Sequence, residues 1–553
     1  MLRNFFHCSL VFLASFSIQN VVAAQYEFDV VVYGSTPSGI MASVQAAEMG
    51  KKTLLISPSK YIGGVMTSGL CATDMNSYRL IGGQPRKFFQ KVNRYYQDPS
   101  VWRAETRDEY FARSVKRVYT GKADSVEMQW VFEPHVALKI FREMLRDSNV
   151  SLADGERLEL RNGVVKKGNV IESIRMESGK EYRAKMFIDT TYEGDLMARS
   201  GVSYFVGREP NSRYNERFNG VRGTRMDKLF APQGGTIEVD PYVTPGDKTS
   251  GLLPFIEPAP RGKDGDGDHG FQAYCFRFTL TNDPNNRTPI AKPANYNPLW
   301  FEMYGRICAA NPRLELSKLL GLAPLPNKKA DVNAANIPGA NYAWAEGNYA
   351  TRSSLAQLHR DFALGKLWFV ANDSRVPQSL RDEINQYGLP KDEFTDNGNF
   401  PHQIYVREAR RMISDYVMTE HNELKNGSVI AEDGIAFGSY AVDSHQVGYF
   451  VDEQGTLCID GSLWESARPY PISYRSIVPK ESECSNLIVP VCLSSSHTAY
   501  GSIRMEPVYM VMGHSAGTAA AMSIDRQCSL QRLPYAELRA QLESQGQIFV
   551  KTN

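Results

Sequence analysis

The chain has 553 residues, of which 42% are hydrophobic and 22% are charged, and its formal net charge is +1. This length exceeds what one simple hydrophobic core supports and predicts two or more domains, while the composition is that of an ordinary globular protein. A net charge so close to zero argues against nucleic acid and anionic membrane surfaces as partners.

The first segment is typical of a secretory signal peptide. Arg3 supplies the positive charge, residues 8–18 form an apolar stretch shorter than a membrane span, and Val22-Ala23-Ala24 places small residues before Gln25. We therefore expect residues 1–24 to be removed and the mature protein to be periplasmic or extracellular. A buried N-terminal strand or an uncleaved anchor is the alternative, and no other apolar run approaches the length of a membrane span.

The cysteines and acidic residues do not predict a metal site. Seven cysteines follow residue 24 without a Cys-x-x-Cys pair, so we expect mostly buried thiols, with Cys484 and Cys492 as the nearest pair for a disulfide. The acids of Asp264-Gly-Asp266-Gly-Asp268 have the spacing of an EF-hand start. His269 stands at the glycine position and Cys275 at that of the final glutamate, which favours a solvated loop.

A strand, a glycine turn, a helix and a second strand follow one another at the start of the predicted mature chain. Residues 28–33 are apolar and β-branched, as in a buried parallel strand, and residues 40–49 have the pattern of a helix that Gly50 ends. Residues 53–56 are the second strand. This order is that of a Rossmann dinucleotide-binding unit.

The turn departs from the G-x-G-x-x-G pattern at its second glycine, where Thr36 stands. We expect Thr36 to cap the helix, with Pro37 at its first position, and the helix N-terminus to face the phosphates of a dinucleotide. The predicted cofactor contacts in this turn are Gly34, Ser35, Thr36, Pro37, Ser38 and Gly39.

The end of the second strand decides between two dinucleotides. Ser57 replaces the acidic residue expected to hold the adenosine ribose, and with the nearby Lys60 it also suits the 2′-phosphate of NADP. The Gly63-Gly64 doublet and Thr67 follow directly, as in chains that wrap around FAD. An exported NADP enzyme would also lack a cofactor pool, whereas FAD travels bound, so we predict FAD and Ser57, Gly63, Gly64 and Thr67 as contacts.

Several motifs together resemble the FAD-dependent oxidoreductases of secreted bacterial proteins labelled "xanthan lyase-like", which are similar to fumarate reductase and glutathione reductase flavoproteins. The resemblance covers nearly all of the predicted mature chain, and two departures from it are Ser57 and Cys71. The segments that carry it are 31–39, 63–74, 132–135, 187–195, 272–274, 405–411, 443–445, 474–475 and 496–507.

The resemblance implies an α/β fold with a Rossmann-type, glutathione reductase-like FAD-binding domain and a large inserted α+β substrate domain. Residues 25–205 and 485–553 would form the FAD-binding domain, and residues 206–484 the insertion. It also implies cofactor contacts for Asp189, after the strand 186–188, and for Gly513 in a small-residue helix. Tight helix packing without a ligand is the alternative for Gly513.

Histidines and arginines near the motifs are the candidates for catalysis. His497 is the preferred acid/base, with His445 and Arg504 as further substrate-facing groups, and His402 is a weaker candidate. His135 is expected to cap the following helix. We expect Arg407 and Arg411 to share a helix face, where one binds a substrate oxyanion; a structural ion network is the alternative.

The expected function is oxidation of a carbohydrate hydroxyl, on a sugar released during polysaccharide degradation, with His497 taking the hydroxyl proton. The alternatives are a flavin-containing lyase or isomerase, a fumarate-reductase-like dicarboxylate enzyme, and a binding protein with FAD as a scaffold. The sequence names no electron acceptor.

Residues proposed for sugar contact are Trp300, Tyr304, Trp344, Tyr349, Trp368, Asp331, Asn333 and Asn336. Packing in the core of the inserted domain is the alternative for the aromatic residues among them.

Overall fold

The computed structural model describes residues 25–74, 77–114, 128–226, 229, 231, 235–333 and 335–550 as a mixed α/β protein. The predicted signal peptide, residues 1–24, lies outside the described residues. No helix in the described part of the chain is both long and apolar enough to cross a membrane.

The helices differ widely in length, and the two longest are α9 and α13. They are α1 (Pro37–Glu48), α2 (Gly83–Gln97), α3 (Arg107–Ser114), α4 (Pro134–Asp147), α5 (Asp195–Arg199), α6 (Asn211–Tyr214), α7 (Glu302–Ala310), α8 (Leu316–Leu319), α9 (Tyr349–Asn372), α10 (Gln378–Ile384), α11 (Glu420–Glu423), α12 (His497–Ile503), α13 (Glu506–Arg526) and α14 (Tyr535–Ser544).

The strands are mostly short. They are β1 (Gln25–Tyr33), β2 (Thr53–Ile56), β3 (Ser151–Ala153), β4 (Val164–Lys167), β5 (Val170–Arg175), β6 (Glu181–Asp189), β7 (Tyr204–Val206), β8 (Gly223–Arg225), β9 (Ile256–Glu257), β10 (Phe278–Thr281), β11 (Arg287–Pro289), β12 (Leu322–Leu325), β13 (Lys329–Val332), β14 (Gly388–Pro390), β15 (Arg410–Met412), β16 (Gly434–Gly438), β17 (Val442–Ser444), β18 (Gly448–Val451), β19 (Leu457–Asp460), β20 (Leu463–Glu465), β21 (Tyr470–Ser473) and β22 (Leu487–Ile488).

A seven-stranded sheet has the order β3-β2-β1-β6-β5-β4, with β22 also paired to β6. Strands β3, β2, β1, β6 and β22 run parallel, whereas β5 and β4 are antiparallel to their neighbours. Because parallel strands end at the same edge, β1, β2 and β6 bring the residues that follow them together. The pairing of Leu487 with Phe187 joins the C-terminal part of the chain to this sheet.

Strand β1 and the start of helix α1 agree with the predictions from the sequence. The β-branched residues of β1 are completely buried at 30–32, as a strand with covered faces requires. Thr36 caps α1 and accepts from the Gly39 amide, and Pro37 is the first helical residue, so both predictions are confirmed.

The remaining strands form smaller sheets. The order β11-β14-β10-β13-β12 describes a five-stranded antiparallel sheet. The order β8-β19-β18-β9 describes a four-stranded mixed sheet, in which β9 is parallel to β18. Three further pairs join β7 to β15, β16 to β21 and β17 to β20. The predicted boundary between residues 205 and 206 falls inside β7.

The predicted helix across Arg407 and Arg411 is wrong. Residues 410–412 form β15, which pairs with β7, and the preceding residues are extended loop. The cause is burial: Arg410 and Arg411 are both inaccessible to solvent and each reaches carboxylates on other parts of the chain. A helix would instead place Arg407 and Arg411 one turn apart on the same face.

The cysteines that follow residue 24 are all free thiols, and Cys528 alone among them is not buried. The expectation of mostly buried thiols is confirmed, and the candidate bridge between Cys484 and Cys492 is absent. Cys484 Sγ lies 3.7 Å from Asn486 Oδ1, and Cys492 Sγ lies 3.4 Å from the Tyr192 carbonyl oxygen.

Candidate functional site

A cleft opens at the edge of the large sheet where β1, β2 and β6 end. Loops after these strands form its floor, and α9 and the segment 402–404 form its other wall. Its lining comprises Tyr33, Gly34, Ser35, Thr36, Ser57, Pro58, Ser59, Tyr61, Gly64, Arg157, Thr191, Tyr192, Glu193, Asp195, Trp344, Tyr349, Arg352, Ser353, Ala356, His402, Gln403 and Ile404.

The turn after β1 is held too tightly for side chains at its first and last glycines. Gly34 has φ of +109°, and a Cβ there would lie 2.7 Å from the Thr191 amide nitrogen. A Cβ on Gly39 would lie 2.0 Å from the Gly34 carbonyl oxygen. Thr36 Oγ1 also donates to the Thr190 carbonyl at 2.8 Å, which ties the turn to the end of β6.

Two hydroxyl groups stand where a carboxylate was expected at the end of β2. Ser57 Oγ lies 2.7 Å from Ser35 Oγ and donates to the Tyr61 carbonyl at 3.0 Å. Lys60 does not line the cleft and instead lies 3.0 Å from Asp396 in an exposed ion pair. This placement removes the lysine on which the NADP alternative depended.

A second cavity lies on the other side of residues 404 and 405, since Ile404 lines the cleft and Tyr405 lines this cavity. Segment 63–74 also lines both, because Gly64 lines the cleft and Ala72 lines the second cavity. The lining of the second cavity is polar and comprises Ala72, Asp74, Arg277, Ser317, Gly321, Leu322, Ala323, Asp331, Asn333, Tyr405, Tyr440, Asp443, His445, Trp464 and Arg504.

His445 lies between two polar side chains in the second cavity. Its Nε2 lies 3.4 Å from Asp443 Oδ2, and the Asn336 amide lies 3.3 Å from its Nδ1. Burial and the charge of Arg407 lower the pKa of His445 to about 4, against the opposing effect of Asp443. The imidazole is therefore neutral near pH 7 and able to accept a proton.

Arg504 connects Asp443 to Tyr405 across the same cavity. Its Nη2 donates to the Asp443 carbonyl at 2.7 Å and lies 3.2 Å from its carboxylate, while Nη1 donates to the Tyr405 hydroxyl at 2.8 Å. Burial alone would raise the pKa of Asp443, but His445 and Arg504 outweigh it and hold that pKa below its ordinary value. Asp443 is thus a carboxylate beside a neutral histidine.

The sequence profile of the family described as FAD dependent oxidoreductase matches residues 29–542. The chain belongs to the FAD-dependent oxidoreductases. It is therefore an oxidoreductase with FAD as its cofactor. A search of the curated proteins finds no match.

Solved flavoprotein structures resemble this FAD-dependent oxidoreductase only distantly. A geranylgeranyl bacteriochlorophyll reductase-like protein from Thermoplasma acidophilum is 11% identical, with 95% of this chain and 85% of that chain covered and a TM-score of 0.34. L-proline dehydrogenase from P. horikoshii is 14% identical, with 34% and 59% covered and a TM-score of 0.23.

L-amino acid deaminase from Proteus vulgaris is 15% identical, with 37% of this chain and 54% of that chain covered and a TM-score of 0.23. The match thus spans less than two thirds of the dehydrogenase and of the deaminase. At these identities and TM-scores the three likenesses carry no argument about activity.

The cleft of this FAD-dependent oxidoreductase fits a dinucleotide. The close turn at Gly34 brings the N-terminus of α1 to the cleft floor, as a pyrophosphate requires. Gly64 has φ of +52°, and a Cβ there would lie 2.4 Å from the Tyr192 hydroxyl, so the chain passes the cleft as bare backbone. Ser35 and Ser57 offer hydroxyls for a ribose.

Other predicted cofactor residues support the cleft without lining it. Gly63, at φ of +92°, packs on Thr67, whose hydroxyl donates to the Ile62 carbonyl at 2.6 Å. Asp189 is completely buried, and its carboxylate accepts from the Thr191 amide at 3.0 Å and the Met197 amide at 2.8 Å. Burial raises the pKa of Asp189 to about 6. These residues fix the loops that the cofactor would contact.

Gly513 and Ser38 belong to a helix crossing and not to the lining of either cavity. A Cβ on Gly513 would lie 2.1 Å from the Ser38 carbonyl oxygen, and one on Gly517 would lie 2.3 Å from that of Ala42. The direct cofactor contact predicted for Gly513 is therefore corrected in favour of the alternative. Small residues let α13 lie directly against α1, which carries the turn at the cleft floor.

His497 does not reach either cavity. Its Nδ1 lies 2.8 Å from Glu408 Oε2, and its Nε2 lies 3.2 Å from Ser444 Oγ. Both ring nitrogens are therefore engaged within the protein, which is at odds with the predicted role as a base that touches substrate. Glu408 also accepts from Gln272 at 3.3 Å, and Gln272 accepts from the His445 amide at 3.2 Å.

Two further histidines differ from expectation. Glu133 occupies the N-cap position of α4 without a side-chain cap hydrogen bond, and His135 Nδ1 lies 2.7 Å from Glu393 Oε1. The helix-cap prediction for His135 is wrong because His135 lies inside α4, where the Glu393 carboxylate accepts from its backbone amide at 3.1 Å. His402 stacks on Tyr61 with ring centroids 3.3 Å apart and lines the cleft, not the second cavity.

The group Glu133, His135 and Glu393 has the spacing of metal ligands among the described residues. Lys329 Nζ lies 2.9 Å from Glu133 and 2.8 Å from Glu393, so an ammonium group already takes the place of a cation there. The loop at 264–268 likewise uses its acids internally: Asp268 pairs with Arg208 at 2.6 Å.

The arginine-rich segment is a structural ion network, as its alternative interpretation held. Arg410 lies 2.8 Å from Asp195, and Arg411 lies 2.6 Å from Glu209 and 2.8 Å from Glu408. Arg407 donates to Asn333 Oδ1 at 3.2 Å and so supports the second cavity from behind.

The structure also assembles residues that the sequence analysis missed. Arg277 makes a bidentate pair with Asp331 at 2.8 and 2.6 Å, and Trp464 and Tyr440 line the mouth of the same cavity. Asp331 and Asn333, which were proposed for sugar contact, do line it, whereas none of the five aromatic residues proposed with them does. Trp344 and Tyr349 line the nucleotide cleft instead.

Proposed function

We propose that this FAD-dependent oxidoreductase oxidises a hydroxyl group of a carbohydrate in the second cavity, beside FAD bound in the cleft. The observation that carries the proposal is the position of His445 between Asp443 and Asn336, in a polar cavity separated from the cleft by residues 404 and 405. Alcohol oxidation requires a group that accepts the hydroxyl proton, and a positioned neutral imidazole meets that need.

FAD would lie along the ends of β1, β2 and β6. The turn at residues 34–36 would hold the pyrophosphate, and Ser35 and Ser57 would hold the ribose. At Gly64 the chain would pass the cofactor as bare backbone. This is a Rossmann-type, glutathione reductase-like arrangement formed by residues 25–205 and 485–553, with residues 206–484 as the inserted substrate domain. FAD supplies the two-electron acceptor, and the protein supplies binding, orientation and proton handling.

His445 is the proposed base, in place of His497. Asp443 accepts from Nε2, which leaves Nδ1 as the basic nitrogen and fixes the ring. A substrate hydroxyl that replaces the Asn336 amide at Nδ1 would pass its proton to that atom. His497 is then a positioning residue that acts through Ser444, the neighbour of His445 in the chain.

The charges of the cavity favour a neutral polyhydroxylated substrate. Its two arginines are already neutralised, Arg277 by Asp331 and Arg504 by Asp443. A dicarboxylate would need cations that these pairs do not offer, which disfavours fumarate-reductase-like activity. Asn333 also lines the cavity, and its side-chain amide can hold a single hydroxyl group.

We also propose that the enzyme works in the periplasm or outside the cell, on sugars released by polysaccharide breakdown. The support is the sequence of residues 1–24 alone. N-terminal sequencing of protein from the native compartment should find Gln25 first. Mature protein that begins at Met1 would contradict export by cleavage.

The test of the activity uses the purified protein with its FAD under anaerobic conditions. Neutral mono- and oligosaccharides should bleach the visible absorbance of the flavin, and succinate should not. Bleaching by the dicarboxylate while every sugar fails would replace the proposal with a fumarate-reductase-like function, and turnover without bleaching would favour a lyase or isomerase.

A further inference from the structure

Trp464 is an exposed aromatic residue at a polar cavity. Its relative exposure is 62%, while the other exposed large hydrophobic residues in the described part of the chain reach 45% at most. It is also a lining residue of the second cavity. An indole ring that is exposed where it lines a cavity offers an aromatic face to a ligand bound there.

The two-stranded sheet of β17 and β20 fixes the position of this ring. Asp443 on β17 is directly opposite Trp464 on β20, and directly opposite residues share one face of a sheet. The Tyr440 ring supports the indole edge-on, with centroids 5.7 Å apart. Trp464 is therefore held on the same side as Asp443, at the cavity that also contains His445.

The surroundings of Trp464 favour a sugar over a protein or lipid partner. Its neighbours on β20 are only half-buried, and none of the other exposed large hydrophobic residues lies on β17 or β20. A protein or membrane partner covers a contiguous apolar patch, which is absent around Trp464 in the described residues. A sugar ring instead presents one apolar C–H face beside several hydroxyls, and amide and charged groups line the same cavity as the indole.

We propose that Trp464 is a stacking platform for the sugar ring next to the one that is oxidised, so that the enzyme prefers an oligosaccharide to a monosaccharide. This inference rests on the proposed function, because it takes the second cavity as the carbohydrate site. Trp464 binds the neighbouring ring through its face, and the cavity groups near His445 hold the ring that reacts.

The experiment compares the wild type with Trp464→Ala and Trp464→Phe, with Ile430→Ala as a control for removing an exposed apolar side chain elsewhere. Binding of neutral oligosaccharides is measured by calorimetry and by tryptophan fluorescence, and flavin reduction is measured separately. Trp464→Ala should weaken oligosaccharide binding about 10-fold and raise KM equally, with kcat and monosaccharide KM unchanged. Trp464→Phe should restore most of the affinity.

The outcomes separate this inference from the proposed function. If sugars reduce the flavin but Trp464→Ala binds oligosaccharides as the wild type does, the platform is wrong and the function stands. If oligosaccharides bind through Trp464 but no sugar reduces the flavin, the platform stands and the redox proposal is wrong. A shift from dimer to monomer in Trp464→Ala with unchanged sugar affinity would also overturn the platform.

Discussion

Gly513 lies where α13 crosses α1, and a methyl group at this position has no room. The Cβ of alanine would lie 2.1 Å from the Ser38 carbonyl oxygen, whereas ordinary contact begins at 3.4 Å. The two helices would have to separate by about 1.3 Å, because the neighbouring atom is backbone and cannot rotate away. The displacement reaches the nucleotide cleft, since Ser38 lies in the first turn of α1.

Two opposing effects set the size of the change in Gly513→Ala. Overpacking at a buried helix crossing costs about 1–3 kcal/mol, and replacing a mid-helix glycine with alanine returns about 1 kcal/mol of helix propensity. We expect a net loss of about 0–2 kcal/mol in the free energy of unfolding. We also expect FAD affinity to fall about 10-fold, because the turn that would face the pyrophosphate moves with α1.

The assay measures urea denaturation by circular dichroism and FAD binding to the apoprotein by fluorescence. Gly305→Ala in α7 is the matched control: a Cβ there would lie 2.2 Å from the Arg375 guanidinium, a flexible side chain that can move. The control should stay within about 1 kcal/mol of the wild type and bind FAD normally. Wild-type stability and FAD affinity in Gly513→Ala would refute the close packing and its link to the cleft.

Three further predictions follow from the contacts of the histidines. His445→Gln should retain FAD but slow flavin reduction about 10²–10⁴-fold in stopped-flow traces, and a wild-type rate would assign the base elsewhere. Glu408→Gln should lower kcat about 10-fold at unchanged FAD content, because His497 loses the carboxylate that orients it toward Ser444; an unchanged kcat and pH profile would remove the positioning role. Burial lowers the pKa of His359 to about 3, so the unfolded chain binds the extra proton between about pH 6.5 and 3 and stability must fall as the pH falls through that window. His359→Leu should flatten the dependence of unfolding free energy on pH by up to about 1.4 kcal/mol per unit there, and an unchanged slope would contradict the burial of a neutral ring.

Local sequence patterns predicted the elements around the cleft. The β-branched run at 28–33, the cap at Thr36 and the strand at 53–56 depend on neighbours in the chain, and the structure places them as β1, the start of α1 and β2. The small-residue pattern around Gly513 also predicted a helix correctly. The sequence did not decide what this helix lies against, because tight packing on another helix and contact with a ligand both require small residues at that spacing.

The second cavity depends on contacts between distant parts of the chain, which local patterns do not encode. Trp464 faces the cavity because β20 pairs with β17, and nothing in the sequence around it distinguishes it from a core aromatic residue. His497 follows a run of serines and is the first residue of α12, where Glu408, 89 positions away in the chain, engages its ring. The helix predicted across Arg411 is wrong for the same reason, because Arg411 also pairs with Glu209, 202 positions away.

The central claim is that the cleft holds FAD while the second cavity presents a sugar hydroxyl to His445. The most direct measurement is a crystal structure of the enzyme with FAD and a slowly oxidised oligosaccharide under anaerobic conditions. The account predicts the pyrophosphate against residues 34–36, one sugar hydroxyl at His445 Nδ1 and the next ring on Trp464. A dinucleotide bound away from the ends of β1 and β2, or a sugar bound outside the second cavity, would contradict it.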